Sequence, residues 1–331
     1  MTRLGYQIPN FSYPDTDPGS LFGTVARQAA EAEAGGFDTV LVMDHFFQLP
    51  MLGPPEAPML ECYTLLAGLA GATSSVRLGA LVTGNTYRNP AILAKTVTTL
   101  DVVSGGRAQL GIGAGWFELE HQAFGIDFGT FTDRFEKLEE ALQIILPMLR
   151  GEEVSFDGRH YQVRGAVNSP PPVGRIPVMI GGGGERKTLR MVAQYADESN
   201  LIAPRTDLPH KLEALAGHCE RLGRDRRELT VSWQRTVCIA PTMEEAQADV
   251  AAGLARRGVD VAGMPEEQQR AITMGAIVGD PDTVGEQLAA DLAVGVDGFT
   301  LNAPFNGHVP GRVQLLGETA AKVVGQTGPR G

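Results

Sequence analysis

Two adjacent side chains, Asp44 and His45, are the residues of this chain best suited to proton chemistry. An imidazole with an ordinary pKa of about 6.5 gives up or takes a proton at neutral pH, and a neighbouring carboxylate can stabilise the charge that results. The pair directly follows Thr39–Met43, a continuous apolar run that reads as a buried strand. Three other segments hold the same position. Thr83-Gly84-Asn85 follows Val76–Val82, Gly113-Ala114-Gly115-Trp116 follows Arg107–Ile112, and Gly181–Gly184 follows Val178–Ile180. Gly182, Gly183 and Gly184, running into Glu185, let backbone N–H groups turn toward one point ahead of a helix predicted over Glu185–Tyr195. Free donors at a helix N-terminus suit an anion such as a phosphate. Arg186, Lys187 and Arg190 follow at once and add positive charge.

Each of these features has a purely structural alternative. Asp44 and His45 can cap a helix or anchor a loop, and four glycines can be a tight turn. Trp116 and Phe117 can wall an aromatic ring system or pack against the next helix. Glu118, Glu120 and His121 begin that helix, where acids favour the dipole. What favours chemistry is that the four segments end successive strands. No HExxH or paired CxxC is present, so no catalytic metal is expected, and no GxSxG elbow supplies a covalent nucleophile.

The elements that must position these residues alternate strand and helix. Strands are predicted at Leu4–Ile8, Thr39–Met43, Val76–Val82, Arg107–Ile112, Val178–Ile180, Glu198–Ile202, Thr230–Ile239 and Gly298–Leu301. Helical spacing fills most of the intervals, at Leu21–Ala34, Tyr63–Ala72, Pro90–Val103, Thr132–Leu149, Lys211–Leu222, Met243–Arg256, Pro281–Val294 and Gly311–Val324. Near-continuous apolar strands point to a parallel sheet buried on both faces. The expected fold is an α/β (β/α)8 TIM barrel over residues 1–325, with its active face at the C-terminal ends of the strands. A Rossmann-like sheet is the alternative, but Pro9-Asn10-Phe11-Ser12-Tyr13 stands where a GxGxxG would follow the first strand. Residues 151–175 read as an insertion with a β-hairpin around Asp157-Gly158, and 326–331 as a disordered tail. The long segment Phe46–Leu60 reads as a lid or an apolar pocket wall.

Composition narrows the function classes. The 331 residues carry a formal net charge of −11, which disfavours nucleic acid because neutralising phosphates needs a basic face. Three scattered cysteines fit a reducing cytoplasm, and no segment has signal-peptide or transmembrane character. A cytoplasmic protein handling small molecules, with no membrane partner, is expected.

The chain resembles the bacterial luciferase-like family, specifically its branch of coenzyme F420 (deazaflavin)-dependent oxidoreductases in actinobacteria. The likeness is carried by Leu4–Phe11, Phe37–Phe46, Leu81–Pro90, Leu100–Arg107, Leu110–His121 and Ile180–Glu185. It implies a TIM barrel with insertions, usually a homodimer, that moves a hydride between F420 and an organic substrate. Asp44 and His45 would lie beside the deazaflavin, with His45 as proton donor or stabiliser of the reduced ring. A non-proline cis peptide is implied near Leu81-Val82-Thr83, and Gly183 and Gly184 would hold the cofactor phosphate. Sugar-phosphate dehydrogenases of the family place a glutamate where this chain has Trp116 and carry lysines without a counterpart here, so an apolar substrate is expected. An FMN-dependent monooxygenase of the same fold and a non-catalytic flavin-binding protein are the alternatives.

Overall fold

The computed structural model describes residues 3–259 and 275–326, together with positions 264, 268 and 273. Eight parallel strands among them close into a barrel: β1 (Leu4–Ile8), β2 (Thr39–Val42), β3 (Arg77–Ala80), β4 (Ala108–Gly113), β5 (Val178–Gly181), β6 (Glu198–Leu201), β7 (Thr230–Ile239) and β8 (Gly298–Asn302). Closure is made by β1, which pairs with both β2 and β8, so that Gln7 lies opposite Leu41 on one side and Asn302 on the other. The helices around it are α1 (Leu21–Ala34), α2 (Cys62–Ala72), α3 (Pro90–Ser104), α4 (Glu118–Phe124), α5 (Phe131–Leu149), α6 (Thr188–Tyr195), α7 (Leu208–Leu222), α8 (Met243–Ala255), α9 (Pro281–Leu292) and α10 (Arg312–Gln326). The TIM barrel expected from the strand–helix rhythm is the fold observed.

The alternation of a strand explains which residues build which layer. Tyr6, Ile8, Val40, Val42, Leu78, Leu110, Ile112, Val178 and Ile180 point outward and are buried with the helices in one apolar cluster. Full burial of such a side chain contributes about 1.5–3 kcal/mol. Leu41, Leu81 and Met179 point inward and meet Val82 in a separate interior cluster. The opposite part of the interior is polar: Gln7 Oε1 accepts from Gln234 Nε2 at 2.9 Å and from Asn302 Nδ2 at 3.0 Å.

Local signals set the helix ends. Asn89 caps α3 by accepting from the Ala91 N–H at 2.9 Å, and Pro90 occupies the first turn, where its missing N–H costs nothing. Thr130 and Asp133 form a reciprocal capping box at the start of α5. The predicted hairpin is present as Val154–Asp157 paired with Gln162–Ala166. It is held to α5 by Glu140, whose carboxylate accepts the N–H groups of Arg159, His160 and Tyr161 at 2.8, 2.9 and 3.0 Å.

Three differences from the sequence expectation bear on the site. The third strand stops at Ala80, the Leu81–Val82 peptide that follows is cis, and Thr83–Gly84 pairs with β4 as a separate piece. The helix after the glycines begins at Thr188 rather than Glu185. A further strand, Ile277–Gly279, extends the sheet beside Val237–Ile239; at three residues it is too short to leave a periodic signal. The tail expected over 326–331 lies outside the described residues except for Gln326, which ends α10. No helix among the described residues is long and apolar enough to cross a membrane.

Candidate functional site

The ends of β2 to β5 converge on Val82. This residue turns off β3 at the cis peptide and seats between Gly113, which ends β4, and Gly181, which ends β5. A Cβ on Gly113 would lie 2.9 Å from Val82 Cγ2, and one on Gly181 would lie 2.7 Å from Val82 Cγ1. Glycine at both positions is what lets the bulge close over the barrel interior. The cis peptide lies where the family resemblance implied it.

Asp44, at the end of β2, is buried and fully engaged with protein. Arg88 grips it bidentately, Nη1 to Oδ2 at 2.6 Å and Nη2 to Oδ1 at 3.0 Å, and the Gly84 N–H donates to Oδ2 at 3.0 Å. Burial pushes the Asp44 carboxyl above its ordinary pKa, and the Arg88 and Gly84 bonds offset only part of that push. Arg88 Nη2 also reaches Glu61 Oε1 at 2.7 Å, which ties the start of α2 to the same group.

His45 sits beside it but turns to a different partner. Its Nδ1 is 2.9 Å from Oε2 of Glu120, a residue with no exposed surface. Glu120 Oε1 accepts the N–H of Phe46 and, at 2.8 Å, that of Phe47, while the Tyr87 hydroxyl donates to Oε2. Burial pushes Glu120 up, but the bond and positive charge of a protonated His45, with bonds from Tyr87 and Phe47, outweigh it and hold the carboxyl below its usual range. The sequence offered helix capping as the alternative for Glu120; the structure gives it instead to the loop after β2. The available signal was its place three residues after Phe117 on the buried face of a short helix, where an acid needs a partner. His121 is buried behind it, its Nδ1 2.9 Å from Phe117 O and its Nε2 2.7 Å from Thr86 Oγ1. Glu118 is exposed.

Trp116 is 57% exposed. Its ring stacks on Phe117 at 5.1 Å and stands edge-on to His45 at 5.8 Å, so an aromatic wall adjoins the imidazole. Phe46 packs at 4.8 Å on Tyr87 and at 4.9 Å on Phe124, which docks the start of the Phe46–Leu60 segment beside the same group.

Thr83 and Asn85 complete the β3 end. Thr83 Oγ1 shares a 2.6 Å hydrogen bond with the Tyr63 hydroxyl. Asn85 Nδ2 donates to the hydroxyl of Tyr161, from the hairpin, at 3.4 Å, whereas its buried Oδ1 has no partner among the described residues. Ala114 is half-buried, and Gly115, at φ +80°, lies against Thr86, with its carbonyl accepting from Arg134 Nε at 3.2 Å.

The glycine run is positioned as a cradle but not charged as expected. Gly182 has φ +116°, a region L side chains rarely adopt, and its N–H is bound to Asn200 O at 3.1 Å. The N–H groups of Gly183 and Gly184 make no hydrogen bond to the described residues. Arg190 is committed to Glu139 at 2.9 and 2.7 Å, and Lys187 lies over the Phe131 and Phe135 rings, so neither serves the cradle. Lys211 brings a cation there instead, its Nζ 2.8 Å from Gly183 O and 3.5 Å from Glu185 Oε1, while Arg186 is exposed beside the glycines. A residue in the first turn of a helix distant in sequence left no signal of this.

Among the described residues, one group brings potential metal ligands together: Asp133, Glu136 and His160, on α5 and the hairpin. Its acids are occupied, Asp133 by the capping box and Glu136 by Arg159 and His160. Cys62, Cys219 and Cys238 are buried free thiols, and burial pushes all three up, Cys238 to about 12.

The profile of the luciferase-like monooxygenase family matches residues 2–298. The F420-dependent glucose-6-phosphate dehydrogenase of Gordonia bronchialis is 34% identical over 196 residues, 59% of this chain and 54% of that protein. The enzyme of the same name from Nakamurella multipartita is 30% identical over 338 residues, covering 96% of this chain and 94% of the relative. The match thus spans about half the length of the first relative and nearly all of the second. Among solved structures, the coenzyme F420-dependent tetrahydromethanopterin reductase from Methanopyrus kandleri superposes with a TM-score of 0.75 at 21% identity, over 97% of this chain and 99% of that one.

Proposed function

The chain belongs to the luciferase-like monooxygenase family, and we propose that within it the protein is an oxidoreductase that moves a hydride between coenzyme F420 and an apolar organic substrate. The single observation that carries this reading is the placement of His45, held by Glu120, on the same barrel rim as the Val82 bulge and the glycine cradle. The F420-dependent relatives favour the deazaflavin over FMN.

The residues present fit such a cofactor. Gly183 and Gly184 offer uncommitted N–H donors for a phosphate, Gly182 and Glu185 flank them, and Lys211 adds positive charge. Leu81, Val82, Thr83 and Gly84 form the bulge against which a planar ring can rest, with Ala114 and Gly115 alongside. Asn85 contributes a buried acceptor that lacks a donor. When bound, the deazaflavin supplies the carbon that accepts or returns the hydride. His45 exchanges the accompanying proton, and Asp44, through Gly84 and Arg88, keeps the β2 and β3 ends in register. Trp116 and the Phe46–Leu60 segment exclude water and give the substrate side its apolar character.

Titration of the purified protein with F420 and with FMN tests the reading. Tighter binding of F420, together with bleaching of its absorbance by a substrate, is expected. Binding of FMN alone, with oxygen-coupled turnover, would establish the monooxygenase reading instead. The proposal includes a cytoplasmic homodimer: Ile92, Val102 and Val103 of α3 are 61%, 42% and 58% exposed and offer apolar surface to a second copy. Light scattering coupled to size exclusion decides the oligomeric state.

A further inference from the structure

The carboxylate of Glu120 is saturated. An ionised carboxylate has room for about four donors and offers no proton of its own. Oε1 takes the Phe46 and Phe47 N–H groups, and Oε2 takes the Tyr87 hydroxyl and His45 Nδ1. Two backbone N–H groups and a hydroxyl donate into it and no acceptor faces it, so the group is held as the carboxylate, which can only accept. A partner that can only accept, 2.9 Å from Nδ1, requires the proton of a neutral imidazole to sit on Nδ1.

We propose that Glu120 is a positioning residue that fixes neutral His45 as its Nδ1–H tautomer and leaves Nε2 as the one ring nitrogen that exchanges a proton at the barrel mouth. Nε2 makes no hydrogen bond to the described residues, and the side chain keeps 13% of its surface exposed. The same carboxylate holds the two backbone N–H groups that follow His45, so the chain direction and the ring orientation are set together. Resting on the reading above, the hydride carries both electrons between substrate and deazaflavin. The proton that balances it enters or leaves through Nε2, while Nδ1 keeps its own.

Long-range 1H–15N correlation spectra of the histidine-labelled full chain test this without cofactor or substrate. The His45 signals are assigned by their loss in His45→Gln, and spectra are taken at rising pH until the ring signals stop changing, so that the neutral form is the one read. The expected pattern is a protonated Nδ1 and a bare Nε2 in the wild type. Glu120→Gln is expected to give a mixture of tautomers, and Glu120→Asp to restore the wild-type pattern at least in part. Tyr87→Phe removes only a competing donor and is expected to leave the tautomer unchanged. An Nε2–H tautomer or an even mixture in the wild type overturns the proposal, as does an unchanged pattern in Glu120→Gln or loss of the pattern in Tyr87→Phe. The wild-type spectrum decides even if Glu120→Gln does not fold. Failure to bind F420 would sink the proposed function and leave this result standing, and a wrong tautomer would do the reverse.

Discussion

Val82 closes on Gly181 so tightly that a single added carbon would fall 2.7 Å from its Cγ1. Overpacking of this kind costs about 1–3 kcal/mol, and here the strain would fall on the bulge proposed to back the cofactor. Gly181→Ala should therefore weaken F420 binding by roughly tenfold or more, with Val82→Ala in the same chain recovering much of the loss. A coupling energy below about 0.5 kcal/mol in that double-mutant cycle, read by fluorescence titration, would mean that the contact does not shape the site.

How much of this was legible in the sequence depends on whether the signal was local. The barrel came from apolar runs at strand spacing, and each end-of-strand segment was found because it follows such a run. Glu120 was read only as far as its helix, because the partners that define it, His45 and Tyr87, lie 75 and 33 residues away. Arg190 and Lys187 misled for the converse reason: proximity in sequence to the glycines says nothing about the Glu139 and Phe131 side chains that claim them from α5. The bulge at Val82 has no compositional mark at all, and only the family resemblance located it.

The loop after β8 should make stability pH-dependent through His308. Burial, aided by the nearby charge of Arg256, pulls this imidazole down to about 4. Unfolding restores its ordinary value of about 6.5, so the unfolded chain binds the proton first as the pH falls. The stability that neutral His308 contributes is complete above about pH 6.5 and is lost progressively as the pH falls toward 4. His308→Gln should flatten the decline of the urea midpoint across that window. An identical decline in wild type and variant would show that other groups cause it.

Replacing His45 separates proton transfer from binding. General acid–base catalysis contributes about 100- to 10,000-fold, so His45→Asn should reduce turnover of a substrate that bleaches F420 by that order. The dissociation constant for F420 should move by no more than a few-fold, since the cradle and the bulge are untouched. Wild-type turnover in the variant would assign the proton to another group, and equal losses in binding and turnover would make His45 a binding residue only.

Arg88 is the residue whose loss the β2 end should tolerate least. Its guanidinium is the bidentate partner of a buried carboxylate, and among the described residues Asp44 would be left with the Gly84 N–H as its one remaining hydrogen bond. Removing one member of a buried pair costs about 3–5 kcal/mol because the other charge is stranded in low dielectric. Arg88→Ala should lower the unfolding free energy by that order in urea titrations. Asp44→Asn added to it should give some of the loss back, because a neutral amide carries no stranded charge. The single Asp44→Asn should cost less than Arg88→Ala, since Arg88 keeps Glu61 at 2.7 Å and its stacking over Tyr63, 4.9 Å from the ring centroid. If Arg88→Ala and the double variant prove equally unstable, the penalty lies in lost packing of the arginine stem and not in the uncompensated charge of Asp44.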